Sequence, residues 1–97
     1  MLEKDVQKKS VAYARKSGWW ARKFTAQGRR SVPDYVFAKS GRVIFDEFKA
    51  TGGKPSELQE EEHKAMRAAG LTVWVHDDPE AFKRDLEKED RKIGAWL

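Results

Sequence analysis

Val32-Pro33-Asp34-Tyr35-Val36-Phe37-Ala38-Lys39-Ser40-Gly41-Arg42-Val43-Ile44-Phe45-Asp46-Glu47-Phe48-Lys49 holds the arrangement of the chain. Two runs rich in β-branched and aromatic residues flank Lys39-Ser40-Gly41, which signals a β-hairpin. Side chains alternate along a strand, so Glu47 and Lys49 point the same way, with Phe45 and Val43 behind them. Pairing about Ser40-Gly41 then sets Asp34 across from the Glu47 end. Two carboxylates and an amine converge at one end of a sheet.

That convergence has a chemical use. Two carboxylates can hold a hard divalent cation such as Mg²⁺ and leave positions for water and a substrate phosphate. A lysine beside them can orient the attacking water or the phosphate. The plain alternative is an Asp in a turn followed by a strand with a solvated Glu/Lys face. Asp46 lies on the opposite strand face and is left out of the set.

A chain of 97 residues suits one domain, spanning 1–97, with a modest core. Without cysteines there is no disulfide and no thiolate zinc site. His63 and His76 are too far apart to suggest a zinc cluster. No apolar run of about 18 residues suggests a membrane span, and the polar start does not read as a signal peptide, so an intracellular protein is expected. The formal net charge is +4, compatible with a polyanionic partner. Lys8 to Arg30 carries Lys8, Lys9, Arg15, Lys16, Arg22, Lys23, Arg29 and Arg30 with no acid, and directly precedes Asp34.

Outward from the hairpin, residues 2–17 read as a helix closed by Gly18, its thin apolar face drawn from Val6, Tyr13, Leu2 and Ala14. Glu3 falls in its first turn, where a carboxylate suits the helix dipole. Trp19 to Thr25 reads as a strand that sends Trp19 and Trp20 to opposite faces, one into the core and the other under a helix or at an interface, with stacking on a base as the alternative. The loop Gly28-Arg29-Arg30-Ser31 is either solvated or a phosphate grip of forked donors. Gly52-Gly53-Lys54-Pro55 is a turn without Walker spacing, and Lys54 is either solvated or against a nucleic-acid backbone. Ser56-Glu57-Leu58-Gln59 matches a capping box. The helix it opens runs to about Ala69 with Leu58, Ala65, Met66 and Ala69 inward. Leu71 to His76 is a strand. Asp78-Pro79 starts a last helix with Phe82, Leu86 and Ile93 inward, followed by the short apolar tail Gly94-Ala95-Trp96-Leu97.

Glu3, Gly28, Pro33-Asp34, Glu47-Phe48-Lys49, Gln59 and the strand Gly70 to Val75, in that order and spacing, resemble the VRR-NUC family of the PD-(D/E)xK nuclease superfamily over about residues 1–78. The resemblance implies an α/β restriction-endonuclease-like core, a mixed β-sheet flanked by helices in the order αβββαβα. It implies a nuclease that cuts DNA phosphodiester bonds with Mg²⁺ or Mn²⁺. Asp34 and Glu47 would hold the metal, with the Phe48 carbonyl and Glu3 as further ligands. Lys49 would orient or activate water, and Gln59 would lie near the site. Arg22, Lys23, Arg29, Arg30 and Lys54 are the candidate DNA contacts. A non-catalytic nucleic-acid-binding module of the same fold, or a protein-interaction domain, is the competing reading. Four tryptophans and an apolar tail exceed what so small a core readily covers, which points to a homodimer. Two sites related by a two-fold axis suit branched DNA such as a four-way junction. Small standalone members of the resembled family are typical of phages.

Overall fold

In the computed structural model, residues 1–28 and 31–96 are described, Trp96 by its backbone alone. The elements follow the expected order: α1 (Glu3–Lys16), β1 (Trp20–Lys23), β2 (Tyr35–Lys39), β3 (Arg42–Phe48), α2 (Glu57–Ala68), β4 (Thr72–His76) and α3 (Pro79–Trp96). The four strands lie in the order β1-β2-β3-β4. β1, β2 and β3 are antiparallel neighbours, and β4 pairs parallel to β3 through the α2 crossover.

The hairpin sets the register. Ser40 and Gly41 both take positive φ, at 49° and 81°, the geometry that lets a two-residue loop follow the strand twist. Lys39 pairs with Arg42 and Tyr35 with Asp46, so the next position on β2, Asp34, falls opposite Glu47.

The two faces of the sheet differ. Ala21, Phe37, Ile44 and Phe48 face α1 and α3 and are fully buried. Phe37, Phe48 and Phe82 pack ring against ring at centroid distances of 5.2 to 6.3 Å, and Leu86 and Ile93 extend the contact along α3. Each aromatic pair adds about 0.5–1.5 kcal/mol beyond its buried area. On the other face α2 leans on β4.

Asp46 points into the α1/α3 side with no exposed surface. His76 meets Asp46 through Nδ1 at 2.6 Å and Asp85 through Nε2 at 2.7 Å. Burial pushes the Asp46 carboxyl up to about 6, against the pull of His76. Burial lowers His76, but its bonds to the two acids outweigh that and hold the imidazole above its ordinary value. Near neutral pH this is a buried ion pair joining β3, β4 and α3.

Several expectations need correcting. β1 begins at Trp20 and ends at Lys23, and Trp19, just before it, is buried and donates Nε1–H to Asp90 at 3.0 Å. Leu2 is exposed; Ser10 and Val11 complete the buried face of α1. Leu58 is 69% exposed and Ala65 and Ala69 are exposed too, while His63 and Met66 are buried. The capping box fixes the phase of α2, turning Gln59, His63 and Met66 toward the sheet and Leu58 away from it. Gly94 to Trp96 continues α3 rather than forming a tail. Trp74 packs against the core, so two of the four tryptophans are satisfied within the chain. Among the described residues, no helix is long and apolar enough to cross a membrane.

Candidate active site

Three elements bring the site together at one end of the sheet. Asp34 ends the loop into β2, and its carbonyl accepts from the Phe24 amide at 2.8 Å. Its carboxylate Oδ2 accepts from the Phe48 amide, also at 2.8 Å. That bond fixes the Asp34 side chain beside Glu47, its cross-strand neighbour. Glu47, 2% exposed, points to the α2 side. Lys49, two residues on and so on the same face, places Nζ 3.6 Å from Glu47 Oε2.

Gln59 reaches the pair from α2. Its Oε1 accepts from the Ser56 amide at 2.9 Å, and its own amide donates to Ser56 Oγ at 3.2 Å, closing the capping box. Its Nε2 donates to Glu47 Oε2 at 3.3 Å. One side chain therefore caps the helix and holds the carboxylate, uniting the two readings the sequence offers for it.

His63, one turn after Gln59, is the neighbour that sequence reasoning missed. It is buried, with Nε2 3.8 Å from Glu47 Oε1, too far for a hydrogen bond. Both atoms are buried without a partner. Burial, with Arg67 and Lys49 nearby, holds the His63 imidazole below its ordinary value. The signal was available: a residue four after Gln59 shares its helix face.

The electrostatics of Glu47 follow from this crowding. Burial, then the charge of Asp34, push its carboxyl up to about 8, while Lys49 pulls the other way. Without a cation the pair keeps a proton at neutral pH. Among the described residues no cluster of three His, Cys, Asp or Glu forms a metal cage, so Asp34 and Glu47 stand as a pair. Mg²⁺ commonly takes one or two carboxylates and completes its shell with water and phosphate. The buried, unpartnered Glu47 Oε1 and the all-oxygen donor set fit such an ion.

The remaining candidates lie around this centre. Glu3 opens α1 and is exposed, with no hydrogen bond or ion pair among the described residues. The chain start is nonetheless tied to the segment after Lys49: Met1 donates its terminal ammonium to Thr51 Oγ1 at 2.9 Å and accepts from the Thr51 amide at 3.0 Å. Arg22 and Lys23 are exposed on β1 and, being adjacent, point to opposite faces. Lys54 is exposed in the turn after Thr51. In that turn Gly52 takes φ +83° and donates its amide to Asp77 Oδ2 at 2.8 Å. Arg29 and Arg30 lie outside the described residues.

No protein-family model matches the chain. Over 76 residues it is 43% identical to the protein named "Putative nuclease p44" of Acyrthosiphon pisum secondary endosymbiont phage 1, covering 77% of this chain and 82% of that one. Its fold is similar to a solved VRR_NUC domain, with a TM-score of 0.80 and 29% identity over 88% of this chain and 94% of the other. With the sheet order, the hairpin register and the Asp34–Glu47–Lys49 grouping in place, these likenesses agree: the chain belongs to the VRR-NUC family of nucleases.

Proposed function

We propose that the chain is a metal-dependent endonuclease that hydrolyses DNA phosphodiester bonds. The observation that carries this is the Asp34–Glu47 pair, set cross-strand by the hairpin and flanked by Lys49 and Gln59. A binding module needs phosphate donors; a buried carboxylate pair would repel its ligand. Asp34 and Glu47 are the residues that would hold Mg²⁺ or Mn²⁺, with the Phe48 carbonyl and, from the start of α1, Glu3 as additional oxygens. A bound cation would supply positive charge where the phosphate gains negative charge. Gln59 holds Glu47 in its rotamer. Lys49 stands beside the carboxylates, where it orients the attacking water and screens their charge from the incoming phosphate. Arg22, Lys54 and the Arg29-Arg30 loop supply phosphate contacts, while Lys23 points to the face opposite Glu47.

In this reading the active form is a homodimer whose paired sites prefer branched DNA over plain duplex. The closed two-fold arrangement is the commonest one, and it presents two sites to a substrate of similar symmetry.

Cleavage of linear, flapped and four-way-junction DNA, with Mg²⁺, with Mn²⁺ and with neither, tests the proposal. Lys49→Ala should lower the rate by more than about a hundredfold at saturating Mg²⁺. Unchanged turnover in that variant would remove the assigned chemistry. Sedimentation at micromolar concentration tests the dimer, and equal cutting of duplex and junction would remove the substrate preference.

A further inference from the structure

The register divides the Glu47 face into rows. Phe24, Asp34 and Glu47 form the first; Arg22, Val36 and Phe45 the second; Trp20, Ala38 and Val43 the third. The two outer rows lie away from α2, which leans on β4 at the far edge. None of their residues is buried. Trp20 is 50% and Val43 41% exposed, and Leu71, next to Val43 in register, is 41% exposed. The Arg22 guanidinium lies 5.0 Å from the centre of the Trp20 ring and donates to the Ala21 carbonyl at 2.8 Å. No acid occurs in either outer row.

We propose that Trp20 and Arg22 form a platform that stacks one unpaired nucleobase of the DNA substrate, on the same face as the Asp34–Glu47 pair. The inference rests on the nuclease reading above and specifies its substrate. A half-exposed indole offers a flat apolar surface that accepts any base. The guanidinium over the ring supplies forked donors for the adjoining phosphate. A purely apolar strip would suit a second copy of the chain, but a cation at its middle and the absence of acids favour a polyanion with flat apolar rings. Continuity with the catalytic row adds direction. Four residues of strand separate Trp20 from the level of Asp34, about 13 Å, or roughly four stacked steps along one DNA strand. The substrate would then carry an unpaired nucleotide a few positions from the cut, as at a flap, gap or junction.

The test uses the full chain, without divalent cation so that binding is read apart from cleavage. Fluorescence anisotropy compares a sealed duplex with the same duplex bearing a single-stranded flap. Trp20→Ala should weaken flap binding roughly ten- to hundredfold, the range for losing one base–aromatic stack. It should leave duplex binding within about twofold, and Trp20→Phe should keep most of the affinity. No loss, or an equal loss on both DNAs, overturns the platform. Conversion of a dimer to a monomer by Trp20→Ala in sedimentation also overturns it, because the face then belongs to a second copy. If wild type cuts no DNA with Mg²⁺ or Mn²⁺ while the flap-specific loss persists, the nuclease reading fails and the platform stands.

Discussion

Replacing Glu47 with Gln should make the cation-free protein more stable while abolishing its cleavage. The Glu47 carboxyl has an ordinary value of 4.5 and is pushed to about 8 in the folded chain. At pH 7 the unfolded chain has released this proton and the folded chain has kept it. The folded state therefore binds more protons, and stability falls as pH rises from about 4.5 toward 8. At pH 7 the accumulated cost is on the order of 3 kcal/mol. Glutamine has the same shape, can still accept from Gln59 Nε2, and has no charge to bury beside Asp34. For a domain of this size the gain corresponds to a rise in Tm of roughly 10–20 °C. Thermal unfolding followed by circular dichroism between pH 4 and 9 gives the readout. The gain should vanish near pH 4, grow through neutrality and level off above about 8. Millimolar Mg²⁺ should stabilise wild type only, because binding to the folded state alone adds to stability. A variant that melts at or below wild type at pH 7, or a gain that does not vary with pH, would refute the reasoning.

Asp34→Asn keeps an oxygen for the Phe48 amide, so it should fold normally and lose more than about a hundredfold in cleavage; Asp34→Ala should also lose about 1 kcal/mol of stability in urea titration, since it strands a donor held at 2.8 Å. His76→Ala leaves the Asp46 carboxylate buried without its cation and should cost about 3–5 kcal/mol. A loss below about 1 kcal/mol in urea would mean the pair contributes little. Wild type should owe His76 most at pH below its ordinary 6.5, a contribution lost as pH rises through its raised folded value. Glu89, bonded to Arg42 at 2.9 Å, is held below its ordinary 4.5 chiefly by that bond. Its contribution is present above 4.5 and lost as pH falls through the folded value, so Glu89→Gln should cost about 1–3 kcal/mol near neutrality and converge with wild type in urea midpoints toward pH 3.

The hairpin and the site geometry could be read because both are local. Ser40-Gly41 fixes the pairing, and counting back along alternating strands puts Asp34 opposite Glu47 before any packing is known. The capping box likewise marks the start of α2 and turns Gln59 inward. What escaped depends on contacts between distant elements. The Asp46–His76 pair requires the parallel β3–β4 register, and no local pattern specifies it across the α2 crossover. Strand alternation puts Asp46 on the face opposite Glu47, but no local pattern names His76 as its partner. The two histidines are too far apart in sequence to suggest a shared site, and each instead sits against a carboxylate from β3. Hydrophobicity alone predicts Leu58 inward, where the turn geometry of Ser56 and Gln59 sets the helix phase and leaves it exposed.

The dual attachment of Gln59 limits which sequences can occupy this position. A capping box ordinarily tolerates Gln and Glu alike, since either supplies the oxygen that meets the first backbone amide. Here the opposite end of the same amide group faces Glu47. Glutamate would preserve the helix start yet present a third carboxylate to an already crowded pair, and alanine would lose both bonds. The start of α2 has thus lost an interchangeability that other helices retain, and drift at residue 59 that is silent for folding would be felt at the Asp34–Glu47 pair.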